Sequence, residues 1–232
     1  MSQISVTRDD SGVATVVADR PPANAMDVTL LGELVAALRE VATDPPAALV
    51  LSGRPRFFSA GADLKAVPAY GPDEQRAMVE GINDMALGVY ALPCPVVGAI
   101  TGHAIAGGMV LALCTDLRVA SSAGKYGLTE VKVGVPYPQA AIGVVEAELG
   151  PQARRLFAFG NALHDAQTCQ RLGVFDEVVE PDAVLPRAQE LAGELAAMPA
   201  DVYARTKRDL RGATIERMRA AAADDPLLAR WV

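Results

Sequence analysis

Apolar and polar residues alternate in two short runs near the start of the chain, Ile4 to Arg8 and Val13 to Ala18, around Asp9-Asp10-Ser11-Gly12. Period-two alternation on both sides of a glycine-ended turn predicts a β-hairpin. Arg20 to Ala25 reads as a loop on its paired prolines. The period then changes. Leu30, Leu31, Leu34, Leu38 and Val41 recur at helical spacing behind Asp27, which predicts a capped helix ended by Asp44-Pro45-Pro46. Ala47 to Leu51 has no polar position and predicts a buried strand. A loop from Gly53 to Lys65, a helix over about Asp73 to Leu92 and a further apolar strand, Pro95 to Ile100, complete the first half.

The stretch Gly102 to Asp116, GHAIAGGMVLALCTD, carries three glycines and then an unbroken apolar run, Met109 to Cys114. That run predicts a short buried helix. The amides at its start, near Gly107 and Gly108, lack intrahelical partners and lie at the positive end of the helix dipole. A strand, a glycine loop and a helix start together suit a negative charge. Beyond it, Leu117 to Ala120 predicts a strand and Tyr126 to Pro138 a long turn. Helices are predicted from about Gln139 and Pro151 and over Asp165 to Leu172, then a last strand, Val174 to Val179, and helix beyond Leu185. Strands separated by helices indicate an α/β fold with crossover connections and functional loops at one sheet edge.

Composition narrows the function classes. The 232 residues, 51% apolar and 21% charged, suit a soluble globular domain with a sizeable core. A net charge of −7 argues against general nucleic-acid binding. Cys94, Cys114 and Cys169 are odd in number and far apart, as reduced core thiols are. No charged-then-apolar leader precedes the hairpin, so a cytoplasmic location is expected. No Asp, Glu, Lys or Arg lies between Asp84 and Asp116, but prolines and glycines break that stretch into strand, turn and helix, and no membrane span is expected.

Motifs exclude more. Gly108 stands where a phosphate loop needs lysine, no G-x-G-x-x-G follows a strand, and G-x-S-x-G is absent. His103 and His164 are remote from each other and from any Cys or Asp cluster, so no metal site is expected. The second chemically informative stretch is Phe57 to Lys65, FFSAGADLK, in which Gly61 sits between alanines. Two small-residue loops, each following a strand, are able to aim two N–H groups at one oxygen, and removing one such donor costs roughly 3 kcal/mol in known cases. Two tight strand–helix turns explain the same residues equally well.

FSAGADLK, GHAIAGGMVLALCTDLRVA and YGLTEVKVGVP, in that order and spacing, resemble the crotonase superfamily, the enoyl-CoA hydratase/isomerase group. The resemblance runs from the hairpin to about Val179. It implies a spiral of β-β-α units over residues 1–185 and a C-terminal helical region, 186–232, used in assembly as a homotrimer or dimer of trimers. It implies an acyl-CoA thioester substrate, with coenzyme A carried on the substrate rather than held as a cofactor. It assigns the enolate-binding amides to Ala62 and Gly107. It places the adenine pocket along Ala60 to Asp63 and the Ala23–Ala25 loop, with Lys65 and Arg20 as candidates for the CoA phosphates.

The acid/base residues decide the reaction. Hydratases of the group resemble one another in having two glutamates. The first position falls on Val110 here, and the second on Glu130 in Leu128-Thr129-Glu130. The glycine-rich water-side segment of hydratases is replaced by Tyr137-Pro138-Gln139. One carboxylate beside two amides is enough to take a proton from one carbon and return it to another, so 3-enoyl-CoA to 2-enoyl-CoA isomerisation is the leading expectation. Hydration of 2-enoyl-CoA and plain acyl-CoA binding are the alternatives.

Each candidate has a plainer explanation. Glu130 lies among Lys125 and Lys132, where a surface ion pair is the ordinary role. His103 is placed either as a second acid or as a packed, hydrogen-bonded residue. Asp116 is expected to satisfy backbone donors. Tyr70, Tyr90, Trp231 and the apolar face of the Asp73–Leu92 helix are either acyl-pocket walls or core, and none is assigned. Arg205, Lys207, Arg208, Asp209 and Arg211 read as a solvated or intersubunit face of the helical tail.

Overall fold

The two alternating runs form the predicted hairpin, β1 (Ile4–Arg8) against β2 (Val13–Ala18), antiparallel with Ile4 opposite Ala18. The structure, a computed structural model, describes residues 2–232. Four further strands join the hairpin in parallel: β4 (Ala48–Ser52), β7 (Val96–Ile100), β9 (Leu117–Ser121) and β11 (Glu177–Val179), in the order β1-β2-β4-β7-β9-β11. The intervening β3 (Ala25–Met26), β5 (Arg56–Ser59), β6 (Gly61–Ala62), β8 (Gly102–Ile105) and β10 (Tyr126–Gly127) make two small parallel sheets, β3-β6 and β10-β8-β5. Each large-sheet strand from β2 to β9 is thus followed by a short strand, the strand–strand–helix unit of the expected α/β spiral.

The helices are α1 (Val28–Thr43), α2 (Pro72–Tyr90), α3 (Gly107–Leu113), α4 (Glu130–Val133), α5 (Gln139–Glu148), α6 (Pro151–Arg154), α7 (Ala166–Arg171), α8 (Val184–Ala196) and α9 (Ala200–Ala223). Asp27 caps α1 by accepting from the Leu30 N–H at 2.8 Å, as the sequence predicts. The large sheet is buried on both faces, which is why β4 and β7 read as unbroken apolar runs. Ala48 and Val50 pack with Val97, Ala99 and the inner face of α8, whereas Leu49 and Leu51 point into the main core with α1, α2 and α3.

Several boundaries differ from the sequence reading. The loops predicted over 20–25, 53–65 and 102–108 contain β3, β5, β6 and β8, strands of two to four residues too short to display a period. The turn from Tyr126 contains β10 and α4. The last strand begins at Glu177 rather than Val174, because Val174 and Phe175 are buried ahead of it and carry no ladder pairing. The stretch Asp84–Asp116 divides among α2, β7, β8 and α3, and among the described residues no helix is long and apolar enough to cross a membrane.

The tail corrects a larger expectation. Lys207 is buried and Arg211 nearly so, and both pair with Asp116, at 2.8 and 2.7 Å. Glu148 joins the cluster through Arg211 (3.2 Å) and the buried Arg118 (2.6 Å). Asp116 also accepts from the Val96 N–H at 2.8 Å, the role expected of it. Of the five residues read from the sequence, Arg205, Arg208 and Asp209 are solvated as expected, Arg205 and Asp209 as a pair 3.5 Å apart. Periodicity counts apolar positions and assigns charge to solvent, so an ionic seam on the inner face of α9 escapes it.

Candidate active site

The site forms where β6 meets the start of α3. Gly61 has φ +79°, and a side chain there would lie 2.8 Å from the Ile105 carbonyl oxygen and 2.9 Å from the Gly107 nitrogen. A Cβ on Gly108 would lie 2.3 Å from the Ser59 carbonyl oxygen. The two backbones therefore touch, and only glycine permits it. Between them Ala106 is held at φ 52°, ψ −125°, strained backbone of the kind that clusters at functional sites. Gly107 opens α3, so its N–H has no intrahelical acceptor. The Asp63 N–H donates to the Met26 carbonyl at 2.8 Å, which by strand alternation turns the adjacent Ala62 N–H to the other side. A Cβ on Gly107 would stand 3.9 Å from the Ala62 nitrogen. The two amides assigned by resemblance are neighbours.

Asn24 holds this junction together, and sequence reasoning missed it. It is fully buried at φ 48°, and its side-chain NH2 donates to the carbonyls of Ala18 (2.8 Å) and Phe58 (3.2 Å). Its backbone carbonyl accepts from the Ser59 hydroxyl at 2.7 Å. An asparagine beside two prolines, in a loop needing positive φ, was the available signal.

Ala62 and Gly107 open onto a pocket with about 570 Å³ of atom-free space, its mouth included. Its lining is apolar apart from Thr129, Tyr137 and one carboxylate, Glu130. Glu130 is the first residue of α4 and is 6% exposed. It forms no ion pair with Lys125, Lys132 or any other described residue, so the surface-pair explanation does not hold. Burial pushes its pKa above the ordinary carboxylate value, with backbone groups and the nearby Tyr137 hydroxyl pulling weakly the other way. Neither Glu130 Oε2 nor the Tyr137 hydroxyl completes a hydrogen bond. Burial and the adjacent carboxylate push the Tyr137 phenol strongly up. Val110 lines the same pocket and brings no polar atom to it.

The candidate CoA-binding residues are also assembled. Ala60 donates its N–H to the Ala23 carbonyl at 3.0 Å, and Ala25 pairs with Gly61 in the β3–β6 ladder. The Asp63 side chain is occupied: it accepts from the Lys65 N–H at 3.1 Å and pairs with Arg20 at 2.9 Å, which holds its pKa low against the cost of burial. Arg20 pairs with Asp27 as well, at 3.0 Å, so its guanidinium is committed within the protein and is a poor phosphate ligand. Lys65 is exposed on the same rim.

His103 is the packed residue of the two expectations. Its Nδ1 accepts from the Lys125 N–H at 2.9 Å, its ring lies 4.8 Å from that of Phe57, and it does not line the pocket. Burial and the Arg56 charge hold its pKa below the usual histidine value. Of the unassigned apolar candidates, Ile82 on α2 and Trp231 do line the pocket. Tyr90 does not: it donates to Glu148 at 2.8 Å beneath the Arg211 guanidinium.

A strand–strand–helix spiral with two close amides and a buried glutamate facing an apolar pocket is the arrangement that the resemblance to the crotonase superfamily implies. The chain belongs to the enoyl-CoA hydratase/isomerase family, whose model matches residues 8–228. The probable enoyl-CoA hydratase EchA17 of Mycobacterium tuberculosis H37Rv is 32% identical over 205 residues, covering 88% of this chain and 78% of the relative. The mitochondrial enoyl-CoA delta isomerase 1 of Mus musculus is 31% identical over 223 residues, covering 91% and 75%. The solved structure of the probable enoyl-CoA hydratase EchA3 of M. tuberculosis H37Rv superposes with a TM-score of 0.89 at 32% identity, covering 97% of each chain. The chain is thus an enzyme of this family with the crotonase fold and a C-terminal helical region.

Proposed function

We propose that this enzyme moves the double bond of a 3-enoyl-CoA to the 2-position, with Glu130 as the sole proton carrier. The observation that carries this reading is the single carboxylate in the pocket, with Val110 at the other position. The thioester carbonyl oxygen accepts from the Ala62 and Gly107 amides. The Glu130 carboxylate removes a proton from C2, and the negative charge spreads over the dienolate and onto that oxygen. The same carboxyl group returns the proton to C4, leaving the 2-enoyl thioester and an ionised Glu130. No water or second acid is consumed. Burial suits Glu130 to this work, because a raised pKa makes its carboxylate a stronger base. Ala23, Ala25, Ala60, Ala62 and Asp63 line the proposed CoA groove through their backbone, with Lys65 as the phosphate contact.

Hydration is the second reading, favoured by the names of the mycobacterial relatives. Product mass separates the two. Incubation with a 3-enoyl-CoA yields a product of unchanged mass on the isomerase reading. A product heavier by one water, formed directly from 2-enoyl-CoA, would replace that reading with hydration. Binding without any product would leave an acyl-CoA-binding protein.

A further inference from the structure

Residues 225–232 belong to neither the sheets nor the long helices, yet they are fastened at both ends. Asp225 is 3% exposed. Its Oδ2 accepts from the Asn83 side chain on α2 (2.9 Å) and from the Gln139 N–H at the start of α5 (2.8 Å), while Oδ1 accepts from the Leu227 N–H (3.0 Å). Farther along, the Val232 N–H donates to Gln75 Oε1 at 3.3 Å. The segment is therefore drawn across the gap between α2 and α5, whose Ile82 and Ala141 both line the active-site pocket.

Trp231 turns inward from this strap. Its Nε1–H donates to the Pro136 carbonyl at 3.0 Å, and its ring joins the lining that contains Glu130. Exposure along that lining marks the mouth. Leu64 (45%) and Val133 (47%) stand there, whereas Ile82, Ala141 and Trp231 are buried, as are Val110 and Glu130. The indole is the largest side chain of the buried lining, and its one polar atom is already satisfied, so it presents a plain apolar wall.

We propose that Trp231 is the floor of the acyl pocket and sets the upper limit of acyl length, confining the enzyme to thioesters of short to medium acyl chains. This rests on the acyl-CoA reading above but not on which reaction follows binding. An apolar chain gains affinity while its methylenes are buried, about fourfold for each. The gain ends where the chain meets the indole, since a close-packed wall yields only at a cost in strain. Asp225 and the Trp231–Pro136 hydrogen bond keep that wall from swinging aside.

The test is a ladder of saturated acyl-CoAs, butanoyl to dodecanoyl, titrated calorimetrically into the wild type, Trp231→Phe and Trp231→Ala. Trp231 is the sole tryptophan, so its emission reports directly on whether the chain reaches it. In the wild type, affinity rises with chain length and then levels before dodecanoyl, and the emission shifts at the lengths where levelling begins. In Trp231→Ala the rise continues, so dodecanoyl-CoA binds at least tenfold more tightly than to the wild type while butanoyl-CoA binds equally. Trp231→Phe lies between and carries the test if the alanine variant also loses butanoyl-CoA, the sign of a disordered strap. The same length dependence in wild type and Trp231→Phe, or an emission indifferent to chain length, overturns the proposal. Binding of no acyl-CoA at all overturns the acyl-CoA reading and this inference with it. Length-limited binding without isomerisation counts against the isomerase reading alone.

Discussion

Glu130 must be ionised to take a proton, yet its surroundings favour the neutral form. Its pKa is raised above the ordinary 4.5 by burial, so the active carboxylate accumulates only at higher pH than for a surface glutamate. Turnover is therefore expected to rise with pH along a limb displaced above that value. The same shift has a stability consequence. A group with a raised folded-state pKa contributes its stabilisation below the unfolded value and loses it as pH rises through the folded one. Glu130→Gln removes the ionisation cost, so its unfolding free energy matches the wild type below about 4.5 and exceeds it increasingly above. Urea unfolding of both proteins across that range checks the sign. Tyr137→Phe removes a neighbouring hydroxyl that pulls weakly against the raised Glu130 pKa without a completed hydrogen bond, so a small move of the acid limb of turnover to higher pH is expected; an unmoved limb would mean that the hydroxyl does not act on the carboxyl in solution. From sequence, Glu130 was legible only through its motif. Lys125 and Lys132 pointed to a surface pair, and the burial that refutes them comes from residues distant in the chain.

Among the elements, the contact of α3 with β5 and β6 sets the spacing of the two amides. Gly108→Ala forces a methyl against the Ser59 carbonyl, a backbone atom that has no freedom to yield. Overpacking of this kind costs about 1–3 kcal/mol. The displacement of α3 also separates the Gly107 and Ala62 amides, and misplacement on the scale of an ångström lowers turnover by about a hundredfold. Thermal unfolding and a rate assay on Gly108→Ala test both parts, while Gly150→Ala, where a Cβ meets nothing within 4 Å, is the control. The glycines themselves marked this junction in the sequence. The strands around it did not, because β3 and β6 are two residues each and alternation needs at least four. The longer elements β1, β2, β4, β7, α1 and α2 fell within a few residues of their predicted bounds. In these, one buried face or two imposes a period over many positions.

At the scale of the molecule, α9 is joined to the spiral by charge as well as by apolar contact. Its buried positions are Lys207, Ile215 and Met218 only. Asp116 takes Lys207 and Arg211, and Glu148 ties Arg211 to Arg118 beneath the sheet. Burial pulls the Lys207 pKa down and Asp116 pulls it back up, so the ammonium depends on that carboxylate. Asp116→Ala leaves the buried Lys207 without a carboxylate and Arg211 with Glu148 alone, and is expected to cost about 3–5 kcal/mol, read as a fall in the urea midpoint at unchanged slope. A change near zero would mean that water reaches the cluster. This seam was invisible to periodicity, since its partners lie 30 to 95 positions apart and charged residues on a helix ordinarily face solvent.

The central claim is that one buried carboxylate carries the proton across the substrate while two backbone amides hold the charge. The most direct measurement is ultraviolet absorbance of the purified enzyme mixed with a 3-enoyl-CoA, beside the Glu130→Gln variant. Growth of the conjugated 2-enoyl signal is expected with the wild type. With the variant that signal is lost while acyl-CoA binding and the folded state persist. An equal signal from both proteins, or none from the wild type despite intact binding, contradicts it.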